Sequence, residues 1–255
     1  MVKPRIALVC IAKNEDDYLE EWIMYHLALG VDKVFVYEND WRWSGYNCFA
    51  EFIPWDGKVK QLAAYNDWLA NKSADFDWAM FMDVDEFLVN RTPHTLPDLL
   101  ARCSNLNQIG INWRIMGSNG LEKAANEKSV LKRFTRGGRF LNEHVKQLVN
   151  LNWHRRENLP QPRFLNPHFT NECSWSPDRG MFKGAYGPYA GEDFAPLEIY
   201  HYAVKSREEF EQKVARGRAD ILQTREAEKE DFWRRHDQND ELFTEARDFL
   251  YGKDL

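Results

Sequence analysis

The segment Asp77-Trp-Ala-Met-Phe-Met-Asp-Val-Asp-Glu-Phe87 places two carboxylates directly after an apolar run. Residues 77–82 are typical of a strand that is buried on both faces of a parallel sheet. Asp83 and Asp85 follow at the carboxyl end of this strand, where ligands bind in open α/β sheets. The segment therefore predicts both a strand of the central sheet and part of a site at its edge.

Two strands with polar ends precede this segment. Residues 5–11 and residues 33–37 are short apolar runs, and between them lies a helix that Gly30 closes. The apolar positions of that helix recur at helical spacing, as expected for one buried face. The crossover of such a β-α-β unit is right-handed, so the polar ends of its parallel strands lie at one edge of the sheet.

The rest of the chain continues the alternation of strands and helices less regularly. We predict a strand near Val59, helices at 62–70 and 95–100, and strands at 108–115, 145–151 and 197–202. The chain is charged and helical after Ser206. These elements predict an α/β fold with one catalytic domain, residues 1–205, and a helical C-terminal extension, residues 206–255, packed on the same domain.

Composition and charge narrow the class of protein. The 255 residues, 44% of them apolar, are enough for a large core, which excludes intrinsic disorder. A net charge of -6 argues against a nucleic-acid partner, because phosphate neutralisation requires an excess of Lys and Arg. The four cysteines contain no C-x-x-C pair. The first eleven residues have too few apolar side chains for a secretory or membrane segment, so we expect a cytoplasmic protein.

Asp83, Asp85 and His201 are the candidate metal ligands. Side chains two residues apart in an extended strand point the same way, so the two carboxylates would converge. Together with water and a diphosphate, they would suit Mn²⁺ or Mg²⁺. His201 would add an imidazole, and the nearby Lys205 would neutralise a leaving phosphate. A solvated acidic loop and a hydrogen-bonded core histidine are the alternatives.

Short polar residues at the strand ends are candidates for nucleotide binding. Asn14, Glu15, Asn39 and Asp40 could hydrogen-bond a base and ribose, or they could cap the following helices. The sequence has neither a G-x-G-x-x-G motif nor a P-loop. A nucleotide would therefore bind without a glycine-rich phosphate cradle.

Five patches in order resemble the family 2-like and family 92 glycosyltransferases: Ile11-Ala-Lys-Asn-Glu15, Tyr37-Glu-Asn-Asp40, Phe81-Met-Asp-Val-Asp-Glu-Phe-Leu88, Trp113-Arg-Ile-Met-Gly-Ser-Asn-Gly120 and His201-Tyr-Ala-Val-Lys-Ser206. The resemblance implies a GT-A (Rossmann-like) mixed sheet flanked by helices. It implies a metal held by Asp83, Asp85 and His201. The nucleotide-sugar contacts that it implies are Ala12, Asn14, Glu15, Asn39, Gln61, Asp83 and Lys205. The implied donor-sugar or acceptor contacts are Trp113, Gly117, Ser118 and Asn119.

The function that this resemblance implies is metal-dependent transfer of a hexose from a nucleotide-diphosphate sugar to a glycan. UDP-galactose is the first donor expected, with inversion, in polysaccharide or glycoconjugate synthesis. Inversion requires a base for the acceptor hydroxyl. Asp178, Glu172 and His168 are candidates, with Asp178 preferred. An aspartyl-nucleophile phosphohydrolase is one alternative, since a strand followed by D-x-D is its signature too. A non-catalytic carbohydrate-binding protein is the other.

Residues 132–156 are locally basic in an acidic protein. This stretch predicts either a solvated face or contact with an anionic acceptor, such as a lipid-linked glycan at a membrane surface. The residues concerned are Lys132, Arg133, Arg136, Arg139, Lys146, Arg155 and Arg156.

Overall fold

The computed structural model describes residues 2–45, 48–176, 178–217 and 228–253. Its strands are β1 (Ile6–Ala12), β2 (Lys33–Glu38), β3 (Ala50–Pro54), β4 (Trp78–Phe81), β5 (Glu86–Asn90), β6 (Gln108–Ile115), β7 (Arg136–Gly137), β8 (Val145–Asn150), β9 (Phe164–Asn166), β10 (Phe169–Thr170), β11 (Ser174–Ser176), β12 (Gly180–Phe182), β13 (Leu197–His201) and β14 (Glu241–Leu242). Its helices are α1 (Leu19–Leu29), α2 (Gln61–Asn71), α3 (Leu96–Arg102), α4 (Val130–Arg133), α5 (Leu151–Arg156), α6 (Arg207–Arg216), α7 (Lys229–His236) and α8 (Glu245–Tyr251), with a 3-10 turn at Ser73–Asp75.

Parallel strands in the order β3-β2-β1-β4 form one half of the central sheet. Side chains of β1 alternate between two cores, as the pleat of a strand requires. Leu8 packs in the same cluster as Trp22 of α1, and Val9 in the same cluster as Trp68 of α2. Because helices cover both faces, β1 is a continuous apolar run, and the predicted β-α-β unit is confirmed.

The other half of the sheet is mixed. β8 is antiparallel to both β4 and β6, so β6 runs in the direction of β4. The end of β6 pairs in parallel with β13, and β13 pairs antiparallel with β5. As a result β1, β4, β6 and β13 all end at one edge of a ten-stranded sheet. The predicted α/β class with a mixed sheet flanked by helices is confirmed.

The strand predicted near Val59 is wrong. Val59 lies in a loop with φ 54°, in the left-handed region that a strand does not use. The strand is β3, which among the described residues pairs only with β2 and is half-buried for most of its length. An edge strand of this kind lacks the apolar run that identifies the buried strands.

The C-terminal part contributes to the main core. Ser206 and Glu209 form a capping box at the start of α6. Phe243 and Ala246 belong to the same buried cluster as β1. The extension is not wholly helical, because β14 pairs with β7. Part of the extension, residues 218–227, lies outside the described residues, and the division at residue 205 stays a prediction. Within the described ranges, no helix is long and apolar enough to cross a bilayer.

Candidate functional site

A pocket opens at the edge of the sheet where β1, β4 and β13 end. It is partly open to solvent and has a cavity volume of about 170 Å³. Strand ends, the start of α2 and one face of α6 form its walls. The polar and aromatic residues that line it are Lys13, Glu15, Gln61, Asp83, Asp85, Trp113, His168, His201, Phe210, Lys213 and Arg216.

The carboxylate of Asp83 accepts hydrogen bonds from side chains of two other elements, α2 and β8. Gln61 Nε2 donates a hydrogen bond to its Oδ1 over 2.6 Å, and Lys146 Nζ donates to its Oδ2 over 2.8 Å. Lys146 is buried, and its Nζ also lies 3.5 Å from the buried Glu86. Burial lowers the pKa of Lys146, but the charges of Asp83 and Glu86 outweigh it and raise that pKa well above its usual value. Lys146 is therefore an ammonium that neutralises the carboxylate of Asp83.

Asp85 faces the end of β13. Its Oδ1 lies 3.6 Å from His201 Nε2, and its Oδ2 accepts a hydrogen bond from Lys213. Burial raises the pKa of Asp85, but the charge of Lys213 outweighs it and holds that pKa well below the usual range. Burial lowers the pKa of the His201 imidazole well below its usual value. At neutral pH the pair is thus an ionised carboxylate beside a neutral imidazole.

The D-x-D segment is a turn and not an extended strand. Glu86 N donates to Asp83 O over 3.0 Å, which closes the turn. The predicted extended conformation of residues 83–85 is therefore wrong. Both carboxylates line the pocket, but Asp83 pairs with Lys146 and Asp85 with Lys213.

Asp85 and His201 have the chemistry of a partial metal site. A carboxylate oxygen and a neutral imidazole nitrogen suit Mn²⁺, and both must be deprotonated to bind it. Asp85 Oδ1 faces His201 because Lys213 takes the other oxygen. Among the described residues, no three His, Cys, Asp or Glu side chains group closely enough to hold a metal. A cation here would complete its shell with water and a ligand's phosphate oxygens.

The predicted nucleotide-sugar contacts divide into three sets. Glu15, Gln61 and Asp83 line the pocket, and Glu15 forms an ion pair with Arg216 over 2.7 Å. Asn14 and Lys205 line a neighbouring pocket that shares Glu15 and Arg216 with the first.

The third set lines neither pocket. Ala12 is buried at the end of β1. Asn39 is buried as well, and its amide donates to the carbonyls of Trp55 and Gly57. Asn39 therefore fixes a loop, and the structure does not bring it to the site.

Of the predicted acceptor contacts, only Trp113 lines the pocket. Residues 117–119 instead bind residues 237–239, and we call these two segments together the tail clamp. Ser118 N donates to Asp237 Oδ1 over 2.7 Å, and Asn119 N donates to Asn239 Oδ1 over 2.8 Å. A Cβ at Gly117 would lie 2.3 Å from the carbonyl oxygen of Gln238. Gly117, Ser118 and Asn119 thus hold the C-terminal segment in place.

Of the three candidate bases, only His168 lines the pocket. Asp178 is exposed and accepts a hydrogen bond from Ser176 over 3.2 Å. Glu172 accepts from Asn107 over 2.7 Å, and Asn107 precedes β6 at the opposite edge of the sheet. The preference for Asp178 is thus not supported by its position.

The sequence did not identify three of the cations at the pocket. Lys13 and Arg216 line it, and Lys146 reaches it through Asp83. Lys213 lines the pocket from α6. Phe210, Lys213, Val214 and Gly217 recur at helical spacing, so one face of α6 was the available signal.

The basic stretch does not form one surface. Lys146 is buried, and Arg133 pairs with Glu209 over 2.8 Å while nearly buried itself. Each of the others has a protein partner: Lys132 with Glu127, Arg136 with Asn239, Arg139 with Asp193, Arg155 with Asp77 and Arg156 with Ser104. Neither alternative applies to the buried Lys146 and Arg133, whereas the other five side chains are exposed. Contact of those five with an anionic acceptor stays a prediction.

The fold and the pocket define an α/β protein with a charged ligand pocket at the carboxyl ends of its strands. The sequence profile of glycosyltransferase family 92 matches residues 7–157, and the chain belongs to that family. A family 92 protein of Ricinus communis is 25% identical over 230 residues, which are 84% of this chain and 38% of that protein.

A second family 92 protein, from Oryza sativa subsp. japonica, is 31% identical over 114 residues, 40% of this chain and 19% of that protein. The chain therefore spans well under half the length of both relatives. The crystal structure of HddC from Yersinia pseudotuberculosis overlaps 81% of this chain and 96% of its own, at a TM-score of 0.36 and 10% identity.

Proposed function

We propose that this chain is a metal-dependent glycosyltransferase that takes a hexose from a nucleotide-diphosphate sugar. UDP-galactose is the first donor to test. The observation that supports this most is the pocket itself. In a chain of glycosyltransferase family 92, it unites ionised Asp85 and neutral His201 with Lys213 and Arg216.

The charges of the pocket suit a diphosphate. Lys13, Lys213 and Arg216 line it beside the carboxylates, so a bound anion would meet cations from two sides of the pocket, β1 and α6. Charge-assisted hydrogen bonds to phosphate are short and strong. Lys213 and Arg216 can exchange their carboxylate partners for phosphate oxygens when the donor binds.

The reaction breaks the anomeric C–O bond and leaves negative charge on the diphosphate. A divalent cation held by Asp85 and His201 would stabilise that charge as a Lewis acid. Lys213 and Arg216 add fixed positive charge at the same place. Lys146 and Gln61 hold the Asp83 carboxylate in one orientation.

His168 is the proposed base for an inverting reaction. Its Nδ1 lies 3.0 Å from the carbonyl oxygen of Val145, which can only accept a hydrogen bond. In the neutral ring Nδ1 therefore carries the proton, and the acceptor hydroxyl would transfer its proton to Nε2. The proposed acceptor is a glycan or lipid-linked glycan, in cytoplasmic polysaccharide or glycoconjugate synthesis.

Thermal unfolding with nucleotide sugars tests the proposal. The protein is heated with UDP-galactose, UDP-glucose, UDP-N-acetylglucosamine and GDP-mannose, each with Mn²⁺ or with chelator. A ligand at a hundredfold excess over its dissociation constant stabilises the native state by about 2.7 kcal/mol. We expect that stabilisation for one nucleotide sugar, only with Mn²⁺, and its loss in Asp85→Asn. Asp178→Asn makes the same chemical change outside the pocket and should keep it.

Four outcomes would contradict the proposal or parts of it. The absence of any thermal shift in the wild type would contradict the proposed donor site. An equal shift in the presence of chelator would contradict the proposed role of the metal. Binding without release of UDP to any acceptor would favour the non-catalytic carbohydrate-binding protein, and hydrolysis of p-nitrophenyl phosphate would favour the phosphohydrolase.

A further inference from the structure

Aromatic rings lead from the pocket to the surface, and we call Trp113, His144 and Tyr186 the ring row. Trp113, which lines the pocket, stacks on His144 with ring centroids 5.3 Å apart and an interplanar angle of 22°. His144 meets Tyr186 edge to face, again at 5.3 Å. Tyr186 is 59% exposed. The row therefore joins the pocket to solvent.

The exposed ring of Tyr186 is carried by a firmly held segment of backbone. Val145 N donates to Ala185 O over 3.0 Å, and Gly187 N donates to Glu143 O over 2.7 Å. A Cβ at Gly187 would lie 2.3 Å from Asn112 Oδ1, so a glycine is needed for this close approach. The backbone on both sides of Tyr186 is thus tied to the strand that begins after His144.

The row is neutral and has polar groups at its edges. Burial lowers the pKa of His144, so its imidazole is uncharged at neutral pH. His144 Nδ1 bonds to Asn142 Oδ1 over 2.8 Å, which orients the ring. Trp113 Nε1 is buried and has no hydrogen-bond partner among the described residues. Flat, uncharged rings suit a ligand that has both apolar faces and hydroxyl groups.

We propose that His144 and Tyr186 form a subsite for an oligosaccharide acceptor, one or more sugar residues away from the reacting hydroxyl. The C–H face of a pyranose ring would stack on Tyr186, while its hydroxyls stay in water. A nucleotide sugar has a fixed length, whereas an acceptor chain has to extend into solvent. The subsite rests on the proposed function, because the row begins in the proposed reaction pocket.

Binding to an array of defined plant and bacterial oligosaccharides tests the subsite. The wild type is compared with Tyr186→Ala, Tyr186→Phe and Phe249→Ala, which removes a ring of similar exposure on α8. We expect Tyr186→Ala to weaken oligosaccharide binding about tenfold, as lost aromatic stacking does. Tyr186→Phe, which keeps the ring, and Phe249→Ala should bind like the wild type. Binding of monosaccharides should not change.

Stabilisation by UDP-galactose with Mn²⁺ is measured on the same variants. Tyr186→Ala should keep it, because the subsite lies outside the donor pocket. Equal oligosaccharide binding by Tyr186→Ala and the wild type would overturn the subsite, as would a wild type that binds no oligosaccharide. Tyr186→Phe binding as weakly as Tyr186→Ala would overturn the stacking. Oligosaccharide binding through Tyr186 without any nucleotide-sugar binding would support the subsite and overturn the transferase.

Discussion

The pocket and the tail clamp are both rich in polar residues, yet their polar atoms are arranged differently. In the tail clamp, backbone N–H groups of residues 118 and 119 donate to side chains of Asp237 and Asn239. In the tail clamp, the hydrogen-bond donors of one segment are paired with acceptors of the other. In the pocket, carboxylates and ammonium groups face an open cavity, and His201 Nδ1 has no hydrogen-bond partner among the described residues.

This difference distinguishes a ligand-binding site from a polar contact that stabilises the fold. A polar cluster whose groups are mutually satisfied stabilises the fold, because each buried donor regains the hydrogen bond it lost with water. A cluster of buried charges around an open space costs desolvation energy and is typical of functional sites. The family resemblance includes residues 117–119 as well as pocket residues and does not distinguish their roles, since it rests on residue types alone.

The largest expected effect is on kcat, and it tests whether the catalytic base is His168, which lines the pocket. His168→Ala should lower kcat on the order of 10²–10⁴-fold, as loss of a general base does. Asp178→Asn and Glu172→Gln should stay near the wild type, because neither residue lines the pocket. The measurement is UDP release from the nucleotide sugar that stabilises the wild type, in the presence of an oligosaccharide that the wild type binds. A large loss in Asp178→Asn with an active His168→Ala would reverse the assignment.

The next effect concerns the buried ammonium that supports the pocket. Lys146→Met leaves the partly exposed Asp83 carboxylate without its cation, and we expect a loss of about 2–3 kcal/mol in the free energy of unfolding. Lys128→Met is the control, since Lys128 is 59% exposed and pairs with Asp17 at the surface. Surface pairs contribute about 0–1 kcal/mol. Urea unfolding measures the stability of both variants. Equal stabilities would show that Lys146 contributes no more to the free energy of unfolding than a surface lysine does.

The smallest effect concerns the tail clamp. Gly117→Ala puts a Cβ against Gln238 and Asn239, and we expect a loss of about 1–3 kcal/mol in stability. Donor binding should persist, because Gly117 does not line the pocket. Ser118→Ala is the control, since its hydroxyl accepts a hydrogen bond from the neighbouring Gly120 N, whereas the clamp uses its backbone N–H. If Gly117→Ala kept full stability but lost donor binding, the clamp would belong to the site.

The parallel half of the fold was predictable because its signals are local. A strand buried on both faces is a continuous apolar run, as in β1 and β4, and a polar residue ends it. The site residues at those ends, Asp83 and Asp85, could be named for the same reason. The edge strand β3 escaped prediction because it is only partly buried.

By itself, the sequence determined the α/β class, the βαβ start of the sheet and the edge where Asp83, Asp85 and His201 meet. It did so because burial and strand direction follow from patterns of adjacent residues. Tertiary structure alone decided that His168 enters the pocket, that Lys146 and Lys213 neutralise separate carboxylates, and that residues 117–119 bind the C-terminal segment. Each of these contacts joins residues far apart in the chain, and no local pattern encodes which distant partner a polar side chain meets.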